Sequence, residues 1–183
     1  MPDPMLRAAA LCVMLLAAPA LAQSRQGFGP GPVLPDVGPI APVQSDLPIP
    51  KGAKFKIAFD LHTRADAGGL SRQIETAART LNMHVAAGVP QKDVQIVLIA
   101  HGPAAMDMLN PAIYALRNEG KANGSLVAVQ KLLGKGVEIY LCGQTAASQK
   151  ISKADLIPGV KMALSAITAH AVYQQRGYTL NPF

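Results

Sequence analysis

The chain has 183 residues, half of them apolar, no Trp and a formal net charge of +6. This length is enough for one domain with a sizeable core. The basic residues are scattered singly, without the cationic stripe and interleaved aromatics that a nucleic-acid surface needs. The composition therefore excludes a dedicated nucleic-acid-binding surface and favours a single globular domain with an ordinary basic exterior.

The amino end has the organisation of an export signal. Arg7 precedes an apolar run, Ala8–Leu16, and Ala20-Leu21-Ala22 is a small-x-small cleavage site. The run is too short to span a bilayer. We therefore predict a signal peptide over residues 1–22, cleavage after Ala22 by the general secretory route, and a periplasmic protein without stable membrane insertion.

Residues 23–50 contain seven prolines and four glycines, which leaves little propensity for helix or strand. We interpret them as an extended linker or arm. Plain disorder is the favoured state, and packing on a neighbouring subunit is the alternative. The domain proper is predicted to cover residues 51–183.

In that domain, apolar runs of strand length alternate with apolar residues at helical spacing. In chain order we predict a strand at Phe55–Leu61, a helix from Leu70 to Val85, a strand at Val94–Ala100, helical pieces at Ala104–Leu109 and Pro111–Asn118, a helix over Leu126–Leu133, strands at Val137–Cys142 and Gly159–Leu164, a helix at Ile167–Arg176 and a short strand at Tyr178–Leu180. This alternation predicts βαβ units and an α/β fold with a mostly parallel sheet.

Three side chains with useful chemistry stand where predicted strands end. His62 follows the first strand, His101 follows the second, and Cys142 ends the third. In open sheets, ligands bind beyond the carboxyl ends of the strands. If the strands are parallel, all three side chains therefore lie on one rim.

Cys142 is the single thiol left once the signal segment, which contains Cys12, has been removed. It cannot form an internal disulfide, so it is buried and inert, paired between chains, or reactive. The turn Gly143-Gln144-Thr145 would direct backbone N–H groups at the sulfur and lower the pKa of the thiol. We favour a functional thiol, with a buried core residue as the alternative.

The histidines divide into two groups. His101 is equally consistent with a proton donor or acceptor, a metal ligand, or a structural cap, and His62 is the weaker candidate of the two rim histidines. His84 and His170 fall within helical patterns and are interpreted as surface or packing residues.

Few other chemistries fit the sequence. Cys142 with His101 and His62 would suit copper or zinc, but C-x-x-C and H-x-x-x-H spacings are lacking. Gly68-Gly69 lacks the lysine of a phosphate-binding loop. No resident cofactor is therefore predicted, and an enzyme with conventional turnover is the least supported class.

Three motifs resemble the DsrE/DsrF-like family of small sulfur-relay proteins. They are a strand with a His-Gly turn at Val94–Pro103, a Gly-Val, strand and Cys-Gly pattern at Leu132–Thr145, and a glutamine before Gly-Tyr at Tyr173–Tyr178. The resemblance implies a flavodoxin-like three-layer sandwich that assembles as a homotrimer or larger ring. It also implies a cysteine that carries a persulfide and passes sulfane sulfur to a partner protein.

By position, the persulfide role falls on Cys142, and Gly143, Gln144 and Thr145 would hold the bound sulfur. Gln144 stands where the family usually has Asn, and the export signal departs from the cytoplasmic location of the best understood members. The leading hypothesis is an exported thiol protein that binds or relays sulfane sulfur. The alternatives are a periplasmic copper- or zinc-binding protein, and a non-catalytic oligomeric binding module.

Overall fold

A computed structural model of the protein describes residues 27–182, so the predicted signal peptide lies outside the described residues. Five strands form one sheet in the order β4-β3-β2-β1-β5, and every neighbouring pair is parallel. The strands are β1 (Phe55–Leu61), β2 (Val94–Ala100), β3 (Glu138–Cys142), β4 (Lys161–Ala163) and β5 (Thr179–Asn181). No helix in this part of the chain has the length and apolar character that a bilayer span requires.

Five α-helices connect these strands. They are α1 (Arg72–Ala86), α2 (Pro111–Arg117), α3 (Leu126–Gly134), α4 (Gly143–Ser148) and α5 (Ala166–Gln175). Shorter 3₁₀ helices cover Gln91–Asp93, Gly102–Met108 and Lys153–Asp155. The helix expected at Ala104–Leu109 is therefore a longer 3₁₀ segment, and the fourth strand is shorter than predicted.

The sheet is covered on both faces, which confirms the predicted α/β sandwich. On one face, Ile57, Phe59 and Leu61 of β1 pack with the buried side of α1 and with α3. On the other face, Ala58 of β1 and the strand residues on the same side of the sheet pack against α5. The sheet thus separates two apolar clusters, as the alternation of side chains along strands requires.

Helix α1 forms where the sequence combines a cap with an apolar stripe. Ser71 is the N-cap, and its hydroxyl accepts the N–H of Ile74 at 3.5 Å. Ile74, Ala77, Ala78 and Leu81 follow at helical spacing and are all buried. This stripe attaches the helix to β1 and β2.

The proline-rich segment before β1 has a defined place on the domain. Leu34 and Val37 are buried, and the side-chain amide of Asn82 on α1 bonds to the backbone around them. Gly29 and Ile40 pair with each other at the ends of this loop. Residues 29–40 are therefore packed on the domain, whereas the composition favoured disorder. The buried amide on α1 makes this possible, because it satisfies backbone groups that lack secondary structure.

Candidate functional site at the carboxyl edge of the sheet

Strand register brings the three rim residues side by side. Leu61 pairs with Ala100, and Ala100 pairs with Leu141. His62, His101 and Cys142 are therefore adjacent at the carboxyl edge, and the alternation of side chains turns them toward the face that α5 covers. The rings of His62 and His101 lie close together, with their centres 6.2 Å apart.

Cys142 ends β3 and immediately precedes α4. It is a free cysteine, and only 6% of its surface is exposed. Cys142 is the N-cap residue of α4, and its side chain makes no capping hydrogen bond. Polar groups around the sulfur nevertheless favour its charged form. Burial raises the pKa of the Cys142 thiol. The N–H and hydroxyl of Thr145, together with the N–H groups of Ala166 and Gln144, outweigh this effect and bring the pKa below its ordinary value.

Thr145 connects this sulfur to the neighbouring strand. Its hydroxyl oxygen accepts the N–H of Gly102 at 3.0 Å, just after His101. A hydroxyl has one proton to donate, and this contact leaves that proton free to point at the sulfur. Thr145 was predicted as a sulfur-holding residue, and the structure adds its contact with the turn that follows β2.

Gly143 allows a second chain segment to approach the sulfur. A Cβ at this position would lie 2.5 Å from the carbonyl oxygen of Ala163 and 3.0 Å from that of Leu164. The missing side chain thus lets the β4–α5 connection pass directly beside Cys142, so that the N–H of Ala166 can face the sulfur. Gln144 is exposed, and its side-chain amide reaches the Leu164 carbonyl at 3.4 Å.

A second polar cluster lies on the same face, centred on the carboxylate of Asp60. His170 Nε2 is 2.8 Å from Asp60 Oδ1, and His101 Nε2 is 3.1 Å from the same oxygen. His62 Nδ1 is 3.7 Å from Oδ2. Burial raises the pKa of Asp60, but the hydrogen bonds from His170 and His101 hold it below its ordinary value.

Sequence reasoning missed two members of this cluster. His170 was interpreted as a surface or packing residue, whereas its ring is 13% exposed and bonded to Asp60. Asp60 itself offered a usable signal, since it is the one carboxylate in β1 and stands between the apolar residues Phe59 and Leu61. A charged group in such a strand needs a partner, and that requirement points to an unassigned cation or donor on the same face.

The two clusters are neighbours, but they are not directly bonded. His101 Nε2 contacts Asp60, and His62 Nδ1 lies near both Asp60 and the side-chain amide of Gln73. On the β1 side, His62 borders an open cavity of about 520 Å³ together with Arg64 and Arg72. The edge therefore combines a cysteine whose pKa is lowered by its polar neighbours with an adjacent group of imidazoles around one carboxylate.

The metal alternative gains no geometric support. Within residues 27–182, no group of three or more His, Cys, Asp or Glu side chains is arranged to hold a metal ion. The imidazoles instead share the Asp60 carboxylate, and Cys142 takes its polar contacts from Thr145 and backbone N–H groups.

Comparisons with known proteins agree with this architecture. The sequence profile of the DsrE/DsrF-like family matches residues 56–182. A protein of unknown function, MTH1491 from Methanobacterium thermoautotrophicum, shares the fold with a TM-score of 0.53 at 18% identity, over 71% of this chain and 100% of its own. The ychN protein from E. coli also shares the fold with a TM-score of 0.53, at 15% identity, over 70% of this chain and 99% of its own.

No curated protein matches the chain. The family profile, however, extends over most of the sequence, from the second residue of β1 to the residue after β5. The resemblance noted in the sequence motifs is thereby confirmed, and the chain belongs to the DsrE/DsrF-like family.

Proposed function

We propose that this protein carries sulfane sulfur as a persulfide on Cys142 and relays it to an acceptor thiol. The observation that carries the proposal is the polar environment of the sulfur, where three backbone N–H groups and one hydroxyl stabilise the thiolate. The thiolate is the nucleophile in sulfur exchange. Membership of a family of sulfur-relay type supports the same role.

The chemistry is an exchange without net oxidation. The Cys142 thiolate attacks the outer sulfur of a donor persulfide, R–S–SH, a new S–S bond forms, and the donor leaves as R–S⁻. In the second step an acceptor thiolate attacks the outer sulfur of Cys142–S–SH, and Cys142 leaves as a thiolate. A thiol with a lowered pKa is a good leaving group, so the same environment assists release.

The surroundings of Cys142 limit which donors can reach it. Cys142 is 6% exposed, while Leu164 on the β4–α5 connection and Ile167 in the first turn of α5 are 73% and 83% exposed. A donor or acceptor must therefore present a narrow terminal sulfur and tolerate an apolar surround. His101 and His62 are proposed to exchange protons with the reacting partner at this edge, and Gly143, Gln144 and Thr145 to hold the bound sulfur.

Two broader features of the proposal come from the sequence. After cleavage at Ala22 the mature protein would act in the periplasm, and it would form a homo-oligomer, a trimer or hexamer, as the family resemblance implies. Its partners would be a sulfur donor and an acceptor protein. Both the export and the assembly stay predictions.

The test is mass spectrometry of the reduced mature protein after incubation with polysulfide or a small-molecule persulfide. We expect a mass increase of one sulfur atom on the peptide that contains Cys142, and its removal by an added acceptor thiol. Cys142→Ser is the control and should gain nothing. An unmodified wild-type peptide, or an equal gain in the serine variant, would exclude the proposal.

A further inference from the structure

Helix α5 begins beside Cys142 and is the one helix of the described chain on its face of the sheet. Ser165 caps it by accepting the N–H of Thr168 at 3.0 Å. The next residue, Ala166, is the α5 residue whose N–H acts on the sulfur, beside those of Gln144 and Thr145 in α4. The position of this first turn therefore decides whether one of the thiolate-stabilising groups is in place.

Two side chains of α5, His170 and Tyr173, form hydrogen bonds with carboxylates of the sheet. His170 Nε2 lies 2.8 Å from Asp60 Oδ1 on β1, and the Tyr173 hydroxyl donates to Glu138 Oε1 on β3 at 2.8 Å. His170 is four residues after Ala166, so the two lie on the same side of the helix, one turn apart. The His170 contact is thus the nearer of the two to the first turn.

The Asp60 carboxylate is itself held in place from the sheet. His101 Nε2, at the end of β2, lies 3.1 Å from the oxygen that His170 contacts. A carboxylate only accepts hydrogen bonds, so both rings carry a proton on Nε2. Among residues 27–182, His170 Nδ1 is buried without a partner, which makes Asp60 the ring's one polar contact.

We infer that Asp60 and His170 are positioning residues for Cys142, because their contact holds the first turn of α5 against the end of β3. Asp60 acts through His170, and His170 acts through the backbone of α5; neither needs to touch the reacting sulfur. The inference rests on the proposed function only in that a persulfide carrier needs a stabilised thiolate.

Two amide substitutions of different length test this contact. In His170→Gln the amide nitrogen takes nearly the place of ring Nε2 and can still donate to Asp60. In His170→Asn the amide is one carbon shorter and cannot reach. The measurement is the apparent pKa of Cys142, obtained from the alkylation rate with iodoacetamide across a pH series.

We expect His170→Asn to raise the apparent pKa of the thiol by about 0.5 unit, the size of one helix-terminus interaction. His170→Gln should return it to the wild-type value. Tyr173→Phe removes the hydroxyl that bonds α5 to Glu138 and Tyr140 of β3, and it is the matched control, expected to lower the melting temperature without changing the thiol pKa. His170→Leu serves as a second loss variant should the asparagine protein fail to fold.

A folded His170→Asn or His170→Leu protein with the wild-type thiol pKa would overturn the inference. An equal rise of the thiol pKa in Tyr173→Phe would also overturn it. The pKa would then respond to any loss of α5 stability, and not specifically to the His170–Asp60 contact. Sulfur loading is measured separately on the same proteins. If the wild type takes up no sulfur while the pKa pattern holds, the proposed function fails and the positioning role stands.

Discussion

At the scale of single residues, Thr145 has two roles from one position in the first turn of α4. Its hydroxyl oxygen accepts from Gly102 at the end of β2, and both its hydroxyl and its N–H lower the pKa of Cys142. One side chain therefore links the turn after His101 to the sulfur at the end of β3. The β-branched shape of threonine restricts its rotamer and keeps this geometry fixed.

Thr145→Val should raise the pKa of the Cys142 thiol by about 1 unit, since a hydrogen bond to a charged group is lost while the shape is kept. The ultraviolet absorbance of the thiolate, followed across a pH titration, measures this change. Thr145→Ser keeps the hydroxyl and is expected to titrate near the wild type. A valine variant that titrates like the wild type would show that the hydroxyl does not act on the sulfur.

At the scale of elements, Asn82 joins the proline-rich segment to α1. Its Oδ1 accepts the N–H groups of Val33 and Leu34, and its Nδ2 donates to the carbonyls of Leu34, Val37 and Gly38. Gly38 adopts a φ of +67°, where a side chain would also overlap the backbone of α1. A single buried amide thus supplies the partners that a sheet or helix would otherwise provide.

Asn82→Ala should release this segment and destabilise the protein by about 3 kcal/mol, because several buried backbone groups lose their partners together. Limited proteolysis should then cleave within residues 29–40, and the melting temperature should fall. Thr76→Ala is the matched control, since Thr76 lies on the same helix and its hydroxyl donates to the carbonyl of Arg72 within the helix rather than to the proline-rich segment. Equal protease resistance of Asn82→Ala and wild type would contradict the role assigned to the amide.

At the scale of the whole molecule, the strand order determines the path of α5. β4 and β5 lie at opposite edges of the sheet, so the helix between them must cross the entire face, and it contacts all five strands. Ten residues of helix extend about 15 Å, most of the distance of about 19 Å between the outer strands of a five-stranded sheet. The crossing brings Ala166 beside Cys142 and, one turn later, His170 to Asp60.

The contacts of Asp60 with His170 and His101 predict that the stability of the protein depends on pH. The pKa of Asp60 is lower in the folded protein than in the unfolded chain, so its contribution is complete above the unfolded value of about 3.9 and is lost as the pH falls through the folded value. Urea unfolding should therefore show wild type more stable than Asp60→Asn at neutral pH, with a smaller difference near pH 3. A difference that stays constant or grows with acid would contradict this assignment.

The pKa of the buried Asp107 is shifted in the opposite direction to that of Asp60. Burial raises its pKa, and this effect outweighs the hydrogen bonds from Ala65 and Ser125. Its carboxylate therefore costs stability above its folded pKa, and that cost is relieved as the pH falls. Comparison of Asp60→Asn with wild type at each pH isolates Asp60, because Asp107 is common to both proteins.

The sequence alone determined the strands and the residues at their ends. The apolar runs at Phe55–Leu61 and Val94–Ala100 are the observed β1 and β2, residue for residue, and Cys142 ends β3 as predicted. These features depend on the local periodicity of apolar residues and on the glycines that interrupt it. Both are properties of residues adjacent in sequence and need no long-range contact. The α/β class follows from their alternation.

Only the tertiary structure decided which polar side chains meet. His170 and Asp60 are 110 residues apart in sequence, and their contact depends on α5 crossing from one edge of the sheet to the other. Likewise, nothing near residues 29–40 in the sequence indicates that Asn82 would satisfy their backbone. Local patterns fix where a strand or helix forms, whereas the partner of a buried polar group is fixed by long-range packing.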